Sequence, residues 1–132
     1  MTHPIVTLQG MLVAAWRADT ALAALAPVFD APPQATESPY VVIARHDVLP
    51  RDGDETPGHE HRIVLHAWAG EASRKSALAI AERLVAVALT TDLEGDVLVT
   101  LRRHDRTETN IDRASGKARA AVTLTMFTEP TA

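Results

Sequence analysis

Two histidines one residue apart, His59 and His61, form the sharpest chemical pairing in this chain. If residues 59–70, HEHRIVLHAWAG, run as a strand, both side chains leave it on one face and Glu60 leaves on the other. Two imidazoles so placed could hold a metal ion, with a third ligand from His46, His66 or His104. No longer metal signature surrounds the pair, and a polar strand end beside a loop accounts for the same residues. Asp52, Asp54 and Glu55, with Gly53 between them, resemble a calcium loop only loosely. The twelve-residue spacing and the closing glutamate are missing, so these acids read as a solvated loop. Asp105, Glu108 and Asp112 interleave with Arg102, Arg103, Arg106 and Arg113. Acid–base catalysis would need two carboxylates converging in a cleft. Alternating charge suits instead an exposed strand and loop that make a salt-bridged protein contact. There is no glycine-rich phosphate loop and no nucleophile elbow. With no cysteine there is no thiolate nucleophile, no disulfide framework and no Cys-based zinc site. No catalytic residue, metal or cofactor is therefore assigned, and the chain reads as a non-enzyme.

Composition narrows the classes further. The 132 residues suit a single domain, 1–132, with one core. Apolar residues make up 46% and charged residues 23%, too apolar a mixture for a disordered chain. A formal net charge of −4 argues against a basic nucleic-acid face. Few aromatic residues are present to stack on single strands. The apolar N-terminal run, MTHPIVTLQGMLVAAW, lacks a basic lead-in and is too short and interrupted to span a bilayer. The expectation is a chain that is not exported and has no membrane partner.

The elements that must position these residues follow from spacing. Ile5, Leu8, Leu12, Ala15 and Trp16 recur at helical intervals, which predicts a helix from Pro4 to about Ala18. Thr2 or His3 precedes the proline, which is well tolerated in a first turn. Asp19 is placed as the N-cap of a short helix, Thr20 to Leu25, ended by Pro27. Val28 and Phe29 make a brief extended piece before the loop DAPPQATES. Tyr40 to Leu49 is rich in strand formers. PRDGDETPG, residues 50–58, is a long solvated connection. In the next strand Ile63, Leu65 and Ala67 face one way, and Arg62, Val64, His66 and Trp68 the other. An alanine-rich helix spans about Arg74 to Thr90, with Glu82 and Arg83 outward. Val97 to Leu101 begins a strand whose character persists through RRHDRTETN, and Ser115-Gly116-Lys117 marks a hairpin loop. The last strand runs from Arg119 to Thr128 with Ala120, Val122, Leu124 and Met126 inward. The sum is an α+β domain: a largely antiparallel four-stranded sheet with two main helices packed on one face. Trp16 reads as a core aromatic, and Trp68 as either core or interface.

The order of these pieces resembles the tail terminator and tail-completion family of long-tailed phages and phage-like gene transfer agents. Its carriers are ADTALAALAPVFDAPP, SPYVVI, EHRIVLHAWAG with Trp68, ASRKSALAIAERLVAVAL, DVLVTLRRHD and ARAAVTLTMF, which together cover nearly the whole chain. The resemblance implies a structural protein of a phage-like particle, in tail or neck, assembled in the bacterial cytoplasm. It implies a homo-oligomer, a hexameric ring at the head-proximal end of the tail tube, that ends tube polymerisation and joins the tail to a neck or stopper protein. DNA would pass through the ring without specific binding, which the negative net charge suits. Candidate interface residues on this reading are Arg51, Asp52, Asp54, Glu55, Trp68, Arg102, Arg103, Arg106 and Arg113. Three alternatives stay open: a head-side neck or head-completion protein, a small metal-binding enzyme using His59 and His61, and an unrelated dimer paired through sheet edges.

Overall fold

The structure is a computed structural model and describes residues 2–32, 37–51 and 57–131. Among these residues three helices, α1 (Pro4–Ala18), α2 (Thr20–Leu25) and α3 (Arg74–Thr90), accompany five strands. The strands are β1 (Val28–Phe29), β2 (Tyr40–Pro50), β3 (His59–Trp68), β4 (Val97–Ile111) and β5 (Ala118–Pro130), in the sheet order β1-β2-β3-β5-β4. The expected α+β class holds, with one strand more than expected. Val28 and Phe29 pair in parallel with Val41 and Val42, while every other ladder is antiparallel. Two residues are too few to show a strand period, so only pairing reveals β1 as part of the sheet.

The helix boundaries have local causes. His3 caps α1, its Nδ1 accepting the Ile5 N–H at 3.1 Å, and Pro4 follows where a missing N–H costs nothing. Asp19 stops α1, its N–H donating to the Trp16 carbonyl, and starts α2, its carboxylate accepting from Leu22 N–H at 2.9 Å. Ser73 caps α3 through the Ser76 N–H.

All three helices contribute to one core beside one face of the sheet. Leu8, Leu12 and Trp16 of α1 and Leu22 of α2 meet Ile80, Leu84 and Val87 of α3 over Val41, Ile43, Ile63, Leu65, Val122 and Leu124. Each such side chain contributes about 1.5–3 kcal/mol on burial before entropy is counted. Ala77, Ala81 and Ala88 are buried too, and their small size lets α3 lie close on the strands. Trp16 is fully buried, and its indole N–H donates to the Leu84 carbonyl at 3.1 Å. Arg83 does not simply face outward as expected. It reaches back to Asp19 with two 2.7 Å hydrogen bonds.

Three register shifts decide which side chains point where. In β2 the shift between Ile43 and Arg45 leaves Ala44 without a partner, and β4 shifts between Val99 and Leu101 and between His104 and Arg106. A bulge resets strand alternation by one residue. Beyond Ala44, His46 and Val48 therefore join the helix side, opposite Ile63 and His61, while Arg45 and Asp47 join the other side.

Candidate assembly interface

Among the described residues the second face of the sheet carries no helix. Cross-strand pairing puts Arg45, Asp47, Glu60, Arg62, Trp68, Arg103, Arg106, Glu108 and Arg119 on it, around a strip made by Val42, Val64, His66, Ala121, Thr123 and Thr125. Its charges pair along single strands. Arg45 binds Asp47 at 2.8 Å, Arg103 binds Asp105 at 2.7 Å, and Arg106 meets Glu108. Residues two apart on a strand share a face, so a sequence alternating in charge neutralises itself there. Asp105 sits at a bulge and also accepts from the Thr125 hydroxyl. Burial alone would raise its carboxyl, but the bonds from Thr125 and Arg103 outweigh that and hold it below the ordinary range. Two arginines lie over rings: Arg51 is 4.0 Å from the centre of Phe127, and Arg119 is 5.8 Å from that of Trp68.

The candidate residues divide by location. Trp68, Arg103 and Arg106 share the helix-free face, and Arg51 reaches it over Phe127. Arg113 stands at the β4–β5 hairpin tip, in a turn closed by Gly116 with φ 71°, at the Trp68 end of the sheet, where Asp112, Ser115 and Lys117 line one cavity with Trp68. Arg102 turns the other way. It pairs opposite Met126 on the helix side, and its guanidinium donates to the carbonyls of Ala88 and Thr91 at the end of α3. Asp52, Asp54 and Glu55 lie outside the described residues.

The histidines are arranged differently from a metal site. His61 is fully buried, and His46, brought over by the β2 bulge, sets its Nε2 2.8 Å from His61 Nδ1. His61 Nε2 lies 3.0 Å from the Thr128 hydroxyl, and Gln9 Nε2 3.2 Å from His46 Nδ1. Ring nitrogens that bond to one another cannot direct the same lone pairs at a metal. Among the described residues no group of three histidines or acids is placed to hold one. His59 shares the face of His61, as its spacing requires, with ring centres 6.3 Å apart. His66 is on the helix-free face, and His104 bonds Thr107 at 2.7 Å. The sequence signal for this hydrogen-bond chain is weak: a polar Gln9 directly after the buried Leu8, while the bulge that brings His46 over shows itself in the pairing.

Residues 10–129 match the family described as tail completion protein gp17. The chain belongs to this family. The match spans β1 to β4, α3 and all but the last residue of β5, so the helix-free face just described belongs to a tail-completion fold. The fold also matches a chain from the virion of a native gene transfer agent particle, with a TM-score of 0.83 and 20% sequence identity. That match covers 97% of this tail-completion chain and 99% of the other. Among curated proteins no sequence matches it. The family is a structural one, and among the described residues no helix is long and apolar enough to cross a membrane.

Proposed function

We propose that this chain is a tail terminator: a ring, hexameric on the family reading, that caps the head-proximal end of a tail tube, stops its growth and joins it to the neck of the head. The family match over residues 10–129 carries the reading, and the near-complete overlap with a gene transfer agent virion chain supports a place in a phage-like particle. Ring closure needs two different surfaces of each copy to meet. The helix-free face is the first of these, with Trp68, Arg103, Arg106 and Arg51 making the contact. Its residues are polar and aromatic at once, as at many protein interfaces. Arg113 at the hairpin tip and the acidic segment with Asp52, Asp54 and Glu55 are the candidates for reaching the tube or neck protein. Internally paired arginines and a net charge of −4 suit a conduit that passes DNA without gripping it.

Negative-stain electron microscopy of particles made without this gene tests the role. Overlong or uncapped tails beside separate filled heads are expected. Tails of normal length beside leaking heads would transfer the protein to the head side of the neck, and unchanged particles would overturn both.

A further inference from the structure

The hydrogen-bond chain Gln9–His46–His61–Thr128 has no part in the assembly reading, yet it joins α1, β2, β3 and β5 in sequence. Proton accounting gives it a direction. The Gln9 amide nitrogen can only donate, so His46 Nδ1 accepts. His46 therefore carries its proton on Nε2 and donates to His61 Nδ1, and His61 Nε2–H donates to the Thr128 hydroxyl. Both rings are neutral and every ring nitrogen is used. An added proton must enter at Nδ1 of one ring. On His61, whose side chain is fully buried, it would meet the His46 N–H head on, at 2.8 Å. On His46 it would meet the Gln9 amide N–H or require that amide to turn its oxygen to the ring, and either way a cation would sit against the fully buried His61.

The surroundings give that proton little help. From α1 the facing group is His3, from β3 His59, and from β2 Asp47, which is exposed and already paired with Arg45. Glu60 and Arg62 border the cleft beside His46 and His3. β5 supplies Thr128 and the apolar Met126, and beyond Met126 the Arg102 guanidinium of β4 is engaged by carbonyls of Ala88 and Thr91. Burial first, then for His61 the neighbouring histidines, pushes both imidazoles down to about 4. Gly10 follows Gln9 directly, exposed in mid-helix, with nothing within 4 Å of where a side chain would begin.

We propose that this chain is an acid-released latch: neutral, it fastens the first half of α1 to the sheet, and a proton entering at His61 or His46 breaks it and frees that half-helix at Gly10. The sign follows from linkage. The latched form excludes a proton that the open form binds, so the latch is at full strength above about pH 6.5 and weakens as pH falls toward 4. At pH 4.5 the open form gains roughly 75-fold for one such histidine.

Hydrogen exchange on the full-length chain at pH 7.5 and 4.5, corrected for intrinsic rates, tests it. Opening of residues 5–10 should rise at least tenfold relative to residues 77–88 of α3 in the same sample. The H46Q/H61Q double variant should lose that pH dependence. Nitrogen NMR of the wild-type imidazoles gives a reading independent of any variant. Two Nε2–H tautomers that stay neutral until about pH 4 are expected. An unchanged ratio between the two segments, or imidazoles that titrate near their ordinary value, overturns the latch.

Discussion

The Asp19 carboxylate receives both arms of the Arg83 guanidinium at 2.7 Å while it caps α2 through the Leu22 N–H. One residue thus ends α1 through its backbone N–H, begins α2 through its carboxylate and ties both to α3. Arg83 first, and the Leu22 N–H next, hold its carboxyl at about 2. Because that value lies below the ordinary one, the stabilisation is present above about pH 4 and is lost as pH falls toward 2. Asp19→Ala should lower Tm by roughly 3–8 °C and Arg83→Met by less, since the cap survives in the second variant. Thermal melts at pH 7 check the order; equal losses would mean the cap contributes nothing.

Trp16 should be among the most sensitive positions. Trp16→Phe removes the N–H bonded to the Leu84 carbonyl and should cost about 1–3 kcal/mol, and Trp16→Ala about 3–5 kcal/mol. Denaturant unfolding measures both.

Adjacent arginines in β4 should behave oppositely. Arg102→Met withdraws donors from the Ala88 and Thr91 carbonyls and should destabilise the isolated chain by about 1–2 kcal/mol. The R103A/R106A variant loses only exposed pairs and should stay within about 0.5 kcal/mol of wild type. If the helix-free face is the assembly interface, that same variant should yield few joined particles when it replaces the wild-type gene. Particle counts by electron microscopy and unfolding curves on the same proteins separate the two effects.

Two glycines should differ in sign. Gly10→Ala fills open space in an exposed helix interior and should stabilise by about 0.5–1 kcal/mol. Gly58→Ala places a methyl group 2.8 Å from the Arg51 carbonyl oxygen and 3.1 Å from that of Thr128, so backbone must shift. A loss of about 1–3 kcal/mol is expected there. Opposite shifts in Tm are the check.

The amino-acid sequence alone determined what depends on near neighbours along the chain. The proline that opens α1, the cap at Asp19, the stripe of Leu8, Leu12 and Trp16, and the alternation of Ile63, Leu65 and Ala67 all express interactions within a few residues. The bounds of α1, α2 and α3 were legible for that reason. The family resemblance was legible because the order of elements survives where individual residues do not. Tertiary structure decided the rest. One unpaired residue, Ala44, moves His46 to the inner face, and only the pairing with β3 shows where the alternation breaks. His46 and His61 are 15 residues apart and meet because two strands align in one register. Arg102 and Arg103 look alike in a polar run, but one binds the end of α3 and the other lies on the helix-free face. Such differences depend on groups distant in sequence, which periodicity and composition do not report.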